Sequence, residues 1–198
     1  VALIGFDLDM TLIDSRPGVA AAMARLAEES GHPIDTALVT SRLGPPLEWE
    51  LAHWLPADEI DHWSERYRAI YAELAIEAIP ALPGAPEGLV AANDLGGSLV
   101  ITAKNAANAQ LHVDHLELPA RQVVGDAWRD QKAVVLRDHG AAAYVGDHVH
   151  DMDAARLAGV PGIGVTTGTS SADELRAAGA KVVLDSLRDL GRHLPNLL

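Results

Sequence analysis

Two aspartates, one residue apart, close the first apolar run of the chain. Val1 to Phe6 carries no charge; Asp7 and Asp9 follow at once, and Thr11 comes two residues later. In an extended chain, residues i and i+2 point to the same side, so two like charges are held close together. Such a pair is relieved when one acid takes a proton or when a cation sits between them. A hard cation such as Mg²⁺, which prefers oxygen ligands at about 2.1 Å, suits that role. Taken alone, Asp-x-Asp after a strand also describes an exposed turn. Three further stations change its meaning: Thr102 with Lys104 just beyond it, Lys132, and the run Gly146-Asp147-His148-Val149-His150-Asp151. Acids, a hydroxyl and a lysine form the set that phosphoryl transfer to a carboxylate requires. One carboxylate attacks phosphorus and splits a hard step into two. A divalent cation offsets the repulsion between that carboxylate and the phosphate. A second acid protonates the leaving alkoxide and then takes a proton from water. The hydroxyl, the lysine and main-chain N–H groups hold the remaining phosphate oxygens.

The pattern of elements explains how these residues can meet. Short apolar runs at Val1–Phe6, Ser98–Thr102, Gln122–Val124, Ala142–Val145, Gly162–Val165 and Lys181–Leu184 read as strands. Helical stretches alternate with them from Pro86 onward: to Leu95, Asn105 to His115, from a capping Asp130 to about His139, from Asp151, itself a candidate N-cap, to Ala158, and Ser171 to Ala178. Strands alternating with helices predict an α/β fold, a Rossmann-like and mostly parallel sheet. In such sheets ligands bind at the carboxyl edge of the strands, and each chemical station lies at or near a strand end. Residues 15–80 read as helices only. Ser15 is placed to cap the first and Pro17 to open it. Stripes follow at Val19, Met23 and Leu26, at Thr36 to Leu43, at Leu47 to Leu55, and at Ile60 to Leu74. This predicts a core of residues 1–14 and 81–198, with an inserted helical cap of residues 15–80 above the carboxyl edge. Its tryptophans and tyrosines read as a small helical core.

Bulk composition narrows the partners. The chain has 198 residues and a formal net charge of −13. An acidic surface does not attract a polyphosphate backbone or an anionic membrane, so neither nucleic acid nor membrane is an expected partner. There is no cysteine, hence no thiolate nucleophile, disulfide framework or Cys-based zinc site. That fits a reducing cytosol, and a cytoplasmic location is the expectation. No apolar run approaches the roughly 18 residues of a transmembrane helix, and the apolar start breaks at Asp7 without a basic region, unlike a signal peptide. Because the chain starts at Val1 and not Met, native residues are expected ahead of it. A monomer and a homodimer are both compatible with the aromatic cap.

Taken together, the motifs resemble the haloacid dehalogenase superfamily of phosphohydrolases, in its phosphoglycolate-phosphatase-like branch. The DxDxT motif stands as Asp7-Leu8-Asp9-Met10-Thr11. The Thr or Ser ending a strand matches Thr102, the lysine best matches Lys132 with Lys104 as its rival, and GDxxxD stands as Gly146 to Asp151. The resemblance implies a Mg²⁺-dependent phosphatase with an aspartyl-phosphate intermediate, acting on a small phosphorylated metabolite. Phosphoglycolate is one candidate; sugar phosphates and nucleotides stand behind it. It further implies Asp7 as nucleophile and metal ligand, and Asp9 as general acid/base that also gives its main-chain carbonyl to the metal. Asp147 and Asp151 are further metal acids, and Thr102 and Lys132 phosphate holders. Main-chain groups near Leu8, Asp9 and Ala103 would complete the cradle. Met10 stands where the family most often has Gly and is expected to shape the pocket floor. Arg42 and Gly44, beside Pro45-Pro46, lie where such caps reach the substrate, and an arginine there suits an anionic tail. Asp9 argues against dehalogenation. The absence of lysine from residues 15–80 argues against Schiff-base phosphonate cleavage. A sugar-phosphate mutase uses the same motifs and stays as the alternative, as does a catalytically silent binding protein. His148, His150 and Asp151 invite a zinc reading, but an oxygen-rich site favours Mg²⁺.

Overall fold

The computed structural model describes all 198 residues, Val1–Leu198. Its strands are β1 (Ala2–Phe6), β2 (Gly96–Ile101), β3 (Gln122–Val124), β4 (Ala141–Gly146), β5 (Gly162–Val165) and β6 (Ala180–Leu184). All pair in parallel, in the order β3-β2-β1-β4-β5-β6. The order decides the chemistry, because β1 lies at the centre with β2 and β4 on either side. Phe6 is level with Val100 on one neighbour and with Val145 on the other. One or two residues further along, the three strands deliver Asp7, Thr102 and Asp147 to the same edge.

The strands are apolar because both faces of the sheet are covered. Ile4, Phe6, Leu99, Val100, Ile101, Ala143, Tyr144 and Val145 are all fully buried. The covering helices are α5 (Ala85–Leu95), α6 (Ala106–His115), α7 (Asp130–Asp138), α8 (Val149–Ala158), α9 (Ala172–Ala177) and α10 (Leu190–His193). On one face Leu99, Ile101, Leu136, Tyr144, Ala154 and Ala155 pack into a small cluster. The other face belongs to the main core.

Between β1 and α5 the chain forms four helices: α1 (Arg16–Ser30), α2 (Thr36–Ser41), α3 (Leu47–Leu51) and α4 (Ile60–Leu74). Pro17 sits in the first turn of α1, and Gly31 ends it in the left-handed conformation, φ 73°. Val19, Met23 and Leu26 of α1 are buried, as are Tyr67, Ile70 and Tyr71 of α4. Each large apolar side chain so buried contributes roughly 1.5–3 kcal/mol. These residues join the main core without a break. The aromatic content therefore divides: Tyr67 and Tyr71 are interior, while Trp49 is exposed.

Local details differ from the sequence reading. Ser15 does not cap α1: its hydroxyl makes no cap bond and is buried without a partner. The third helical stripe ends as regular helix at Leu51 and continues as turns to Leu55, which stays buried. Asp130 is the first residue of α7, not its cap; Arg129 holds that place with φ 49°.

The chain returns from the helical insert to the sheet through Gly84, whose φ of 93° L side chains rarely adopt. A Cβ there would also lie 2.5 Å from the main-chain nitrogen of Arg188. Gly84→Ala is expected to destabilise the fold by about 2 kcal/mol, read as a lower urea midpoint at unchanged slope.

Candidate active site

Three buried carboxylates meet at the carboxyl edge. Asp7, Asp147 and Asp151 each present an oxygen within 4.8 Å of the others. Asp7 comes from the end of β1, Asp147 from the end of β4, and Asp151 from the first turn of α8. Lys132, on α7, reaches between them: its Nζ donates to Asp7 Oδ1 at 2.7 Å and to Asp151 Oδ1 at 2.8 Å. Thr11 Oγ1 donates to Asp147 Oδ1 at 2.9 Å. Tyr144 donates to Asp151 Oδ1 at 3.3 Å, and the His148 main-chain N–H donates to Asp151 Oδ2 at 3.1 Å. Asp151 is thus not the N-cap of α8. His148 is the cap, and Asp151 is the third-residue partner in a capping box.

Electrostatics at this cluster are unfavourable for three anions. Burial, then the charges of Asp151 and Asp9, push the Asp7 carboxyl up to about 7 against the pull of Lys132. Burial and the charges of Asp7 and Asp151 also push Asp147 well above the usual carboxylate range. Lys132 is raised, because the attraction of Asp151 and Asp7 outweighs its burial, so it stays charged. Three carboxylates and one ammonium leave a formal charge of −2. This donor set, all oxygens, fits a hard divalent cation. The two histidines do not join it. His148 Nδ1 accepts the His150 main-chain N–H, and His150 Nε2 faces an Arg129 Nη2 at 3.1 Å.

Asp9 stands apart from this cluster. Its carboxylate lies 3.1 Å from Lys104 Nζ and accepts a long bond, 3.4 Å, from Thr102 Oγ1. Burial raises its pKa, but the charge and hydrogen bond of Lys104 outweigh that and hold it below the usual range. Both lysines therefore belong to the site, one to each acid of the first motif. The main-chain N–H groups of Leu8, Asp9 and Ala103 donate to no carbonyl or side chain of the protein, which leaves them free to bind an anion. Met10 adopts φ 63°. This is the left-handed region, which Gly enters without the steric cost that a side chain brings. Met10 itself is buried, and its carbonyl accepts a hydrogen bond of 2.5 Å from Thr167 Oγ1.

A cavity of about 270 Å³ holds Asp7, Asp9, Thr102, Ala103, Lys132, Asp147 and Asp151, with Arg42 and Gly44 on the side of the helical insert. The other residues expected from the sequence to act are thus brought together, with two exceptions: Leu8 turns its side chain into the core, and Met10, expected to shape the pocket floor, is buried and lines neither this cavity nor the one beside it. Arg42 is at the cavity but is engaged: its Nε and Nη2 donate to both oxygens of Glu50, at 2.9 and 2.7 Å. The sequence reading missed three groups: the grip of Lys104 on Asp9, Arg129 at the cavity rim, and Gly168. No spacing rule identifies them, because each meets the site through a loop.

A family profile described as haloacid dehalogenase-like hydrolase matches residues 4–165. The chain belongs to that family. A phosphoglycolate phosphatase of Caulobacter vibrioides is 30% identical, covering 100% of this chain and 92% of its own. A 5′-nucleotidase of Pseudomonas aeruginosa is 32% identical, over 87% and 86% of the two chains. Among solved structures, a haloacid dehalogenase-like family hydrolase from Streptococcus pneumoniae superposes with a TM-score of 0.84 at 25% identity, covering 98% of each chain. This haloacid dehalogenase-like hydrolase is a phosphatase, and its fold is that of the family. No helix is long and apolar enough to cross a membrane.

A chain of hydrogen bonds joining α4 to α6 runs behind Asp9. Lys104 Nζ donates to the Tyr71 hydroxyl at 2.9 Å, and that hydroxyl lies 2.8 Å from His112 Nε2. The ammonium donates into the phenol oxygen, and His112 Nδ1 is buried without a partner. Burial, then the nearby charge of Lys104, pushes His112 down to about 4, with Asp9 pulling the other way.

Two outcomes follow for this phosphatase. A Cβ on Gly168 would lie 1.7 Å from Asp147 Oδ2, so Gly168→Ala is expected to displace that carboxylate. Phosphate release should fall by about 10- to 100-fold with little change in melting temperature. His112 takes its proton more readily when unfolded, so stability should fall as pH drops through the window between about 6.5 and 4. The loss is on the order of 3 kcal/mol, and denaturant titrations of His112→Gln across that window should show a flatter dependence.

Proposed function

We propose that this phosphatase hydrolyses a small phosphate monoester through a phosphorylated Asp7, with Mg²⁺ as cofactor. The observation that carries the reading is the split of the acids. Asp7 sits with Asp147, Asp151 and Lys132, while Asp9 is held separately by Lys104 and Thr102. One carboxylate is set for attack and another for proton transfer.

Asp7, Asp147, Asp151 and the main-chain carbonyl of Asp9 would hold the Mg²⁺. When bound, the ion supplies positive charge that keeps Asp7 ionised and offsets its repulsion of the phosphate. Lys132, the Thr102 hydroxyl and the free amides of Leu8, Asp9 and Ala103 orient the phosphate oxygens. An Asp7 oxygen forms a bond to phosphorus as the P–O bond to the alcohol breaks, and Asp9 delivers a proton to the leaving oxygen. Because Lys104 keeps the resting Asp9 ionised, that proton arrives with the monoanionic form of the ester, whose second pKa is about 6. Water then attacks the phosphorus, Asp9 takes its proton, and the Asp7–phosphate bond breaks to release phosphate and regenerate the carboxylate. The helices of residues 15–80 act as a cap that excludes bulk water over the core of residues 1–14 and 81–198. Arg42 and Gly44 face the substrate from that cap. The 5′-nucleotidase and phosphoglycolate phosphatase activities of relatives support a small phosphorylated metabolite as substrate. The absence of cysteine supports a cytoplasmic enzyme.

The test is phosphate release from an aryl phosphate and a metabolite panel, with Mg²⁺ and after chelation, for wild type and Asp7→Asn. Chelation and Asp7→Asn are each expected to lower release by at least about 1,000-fold. Undiminished release in either case would overturn the assignment. Transfer of phosphate within a sugar, without release, would make the protein a mutase.

A further inference from the structure

Two cavities meet at Asp9. The first, described above, holds the acid cluster. The second, about 230 Å³, runs from Asp9 between α4, α6 and the Arg42–Pro46 segment. Asp9, Ala103 and Trp128 line both. On the phosphatase reading, phosphate fills the first cavity, the bridging oxygen lies near Asp9, and the alcohol portion of the ester occupies the second.

The charges of the second cavity are already matched. Its cations are Arg42, Arg68 and Lys104. Arg42 is held by both oxygens of Glu50, Arg68 is bonded to Glu48, and Lys104 is 3.1 Å from Asp9. A fourth carboxylate, Asp126, also lines it. Three cations thus face four carboxylates, leaving a formal charge of −1. Among the cations lining either cavity, Arg129 alone has no carboxylate partner, and it lies on the acid-cluster side. A carboxylate entering the second cavity would be desolvated without a free counter-charge. The groups left to bind are neutral. The Tyr67 hydroxyl makes no hydrogen bond to the protein, the side-chain NH₂ groups of Asn105 and Gln131 are unengaged, and the Trp128 ring adds an apolar wall. Size points the same way: one water needs roughly 10–15 Å³ of such space, so a two-carbon acid would leave most of this cavity as solvent.

We propose that the alcohol released is uncharged and larger than two carbons, a sugar, polyol or nucleoside, and that the Arg42–Glu50 pair excludes alcohols bearing a carboxylate. This inference rests on the phosphatase reading and narrows its substrate.

The experiment compares wild-type kcat/KM for phosphoglycolate with that for 2-hydroxyethyl phosphate, its neutral match in size, alongside a sugar phosphate, a nucleoside 5′-monophosphate and an aryl phosphate. The neutral two-carbon ester is expected to exceed phosphoglycolate by about tenfold or more, and a larger neutral ester to exceed both. Glu50→Gln, which frees Arg42, should shift the ratio toward phosphoglycolate by about fivefold or more, chiefly through KM. Phosphoglycolate as the best wild-type substrate, with the aryl phosphate also cleaved, would overturn this proposal and leave the phosphatase reading standing. An unchanged ratio in folded Glu50→Gln would overturn the role of the Arg42–Glu50 pair. Hydrolysis of no ester at all would overturn the phosphatase reading, and this inference with it.

Discussion

The structure depends on holding like charges together where water cannot screen them. Asp7, Asp147 and Asp151 are buried at one strand edge, and isolated buried carboxylates are far too costly to persist ionised. Lys132 makes the arrangement tenable by bonding two of them at once. Its own burial is tolerable for the same reason, since each ion compensates the other only while both stay in place. Around this cluster the scaffold has little freedom. Tyr144 and the His148 amide hold Asp151, Thr11 holds Asp147, and Gly146 and Gly168 leave room where a methyl group would strike a carboxylate.

Parallel strands deliver those acids to one place. β1 is central, and its neighbours β2 and β4 end level with it. Groups 93 to 136 residues apart in sequence thereby come within hydrogen-bond distance, as Thr102 does with Asp9 and Thr11 with Asp147. The helical insert enters the chain directly after the first motif, so its position over this edge follows from connectivity. Tyr71 then ties α4 to Lys104 and His112, and the same Lys104 holds the Asp9 carboxyl below the usual carboxylate range.

Most of this was legible in the chain because it is carried by short apolar runs and by acids at their ends. The strands at Gln122–Val124 and Gly162–Val165 were read with their observed limits, since turn residues bound them on both sides. Lys132 over Lys104 for Asp7 was also legible, from its place in the first turn of a helix facing the edge. What escaped was set by side-chain direction. Ser15 has the right type and position for a cap, yet its backbone is already helical, φ −76° and ψ −10°, and its hydroxyl cannot reach the free amides. Asp151 has the type of an N-cap, but His148 fills that place, and the acid folds back on the His148 amide. Arg42 reads as a free cation until Glu50, eight residues on, is brought against it by the turn at Gly44. Pairings of this kind depend on loop paths, which hydrophobic periodicity does not encode.

The central claim is that Asp7 carries the phosphate during turnover. The most direct measurement is rapid acid quenching of the enzyme during steady-state hydrolysis, followed by borohydride trapping and mass spectrometry of the peptides containing Asp7, Asp9 and Asp147. The account requires the trapped acyl-phosphate on Asp7, with Asp9 and Asp147 unmodified. Turnover at the full rate with no trapped species, or with the label on Asp9 or Asp147, would contradict it.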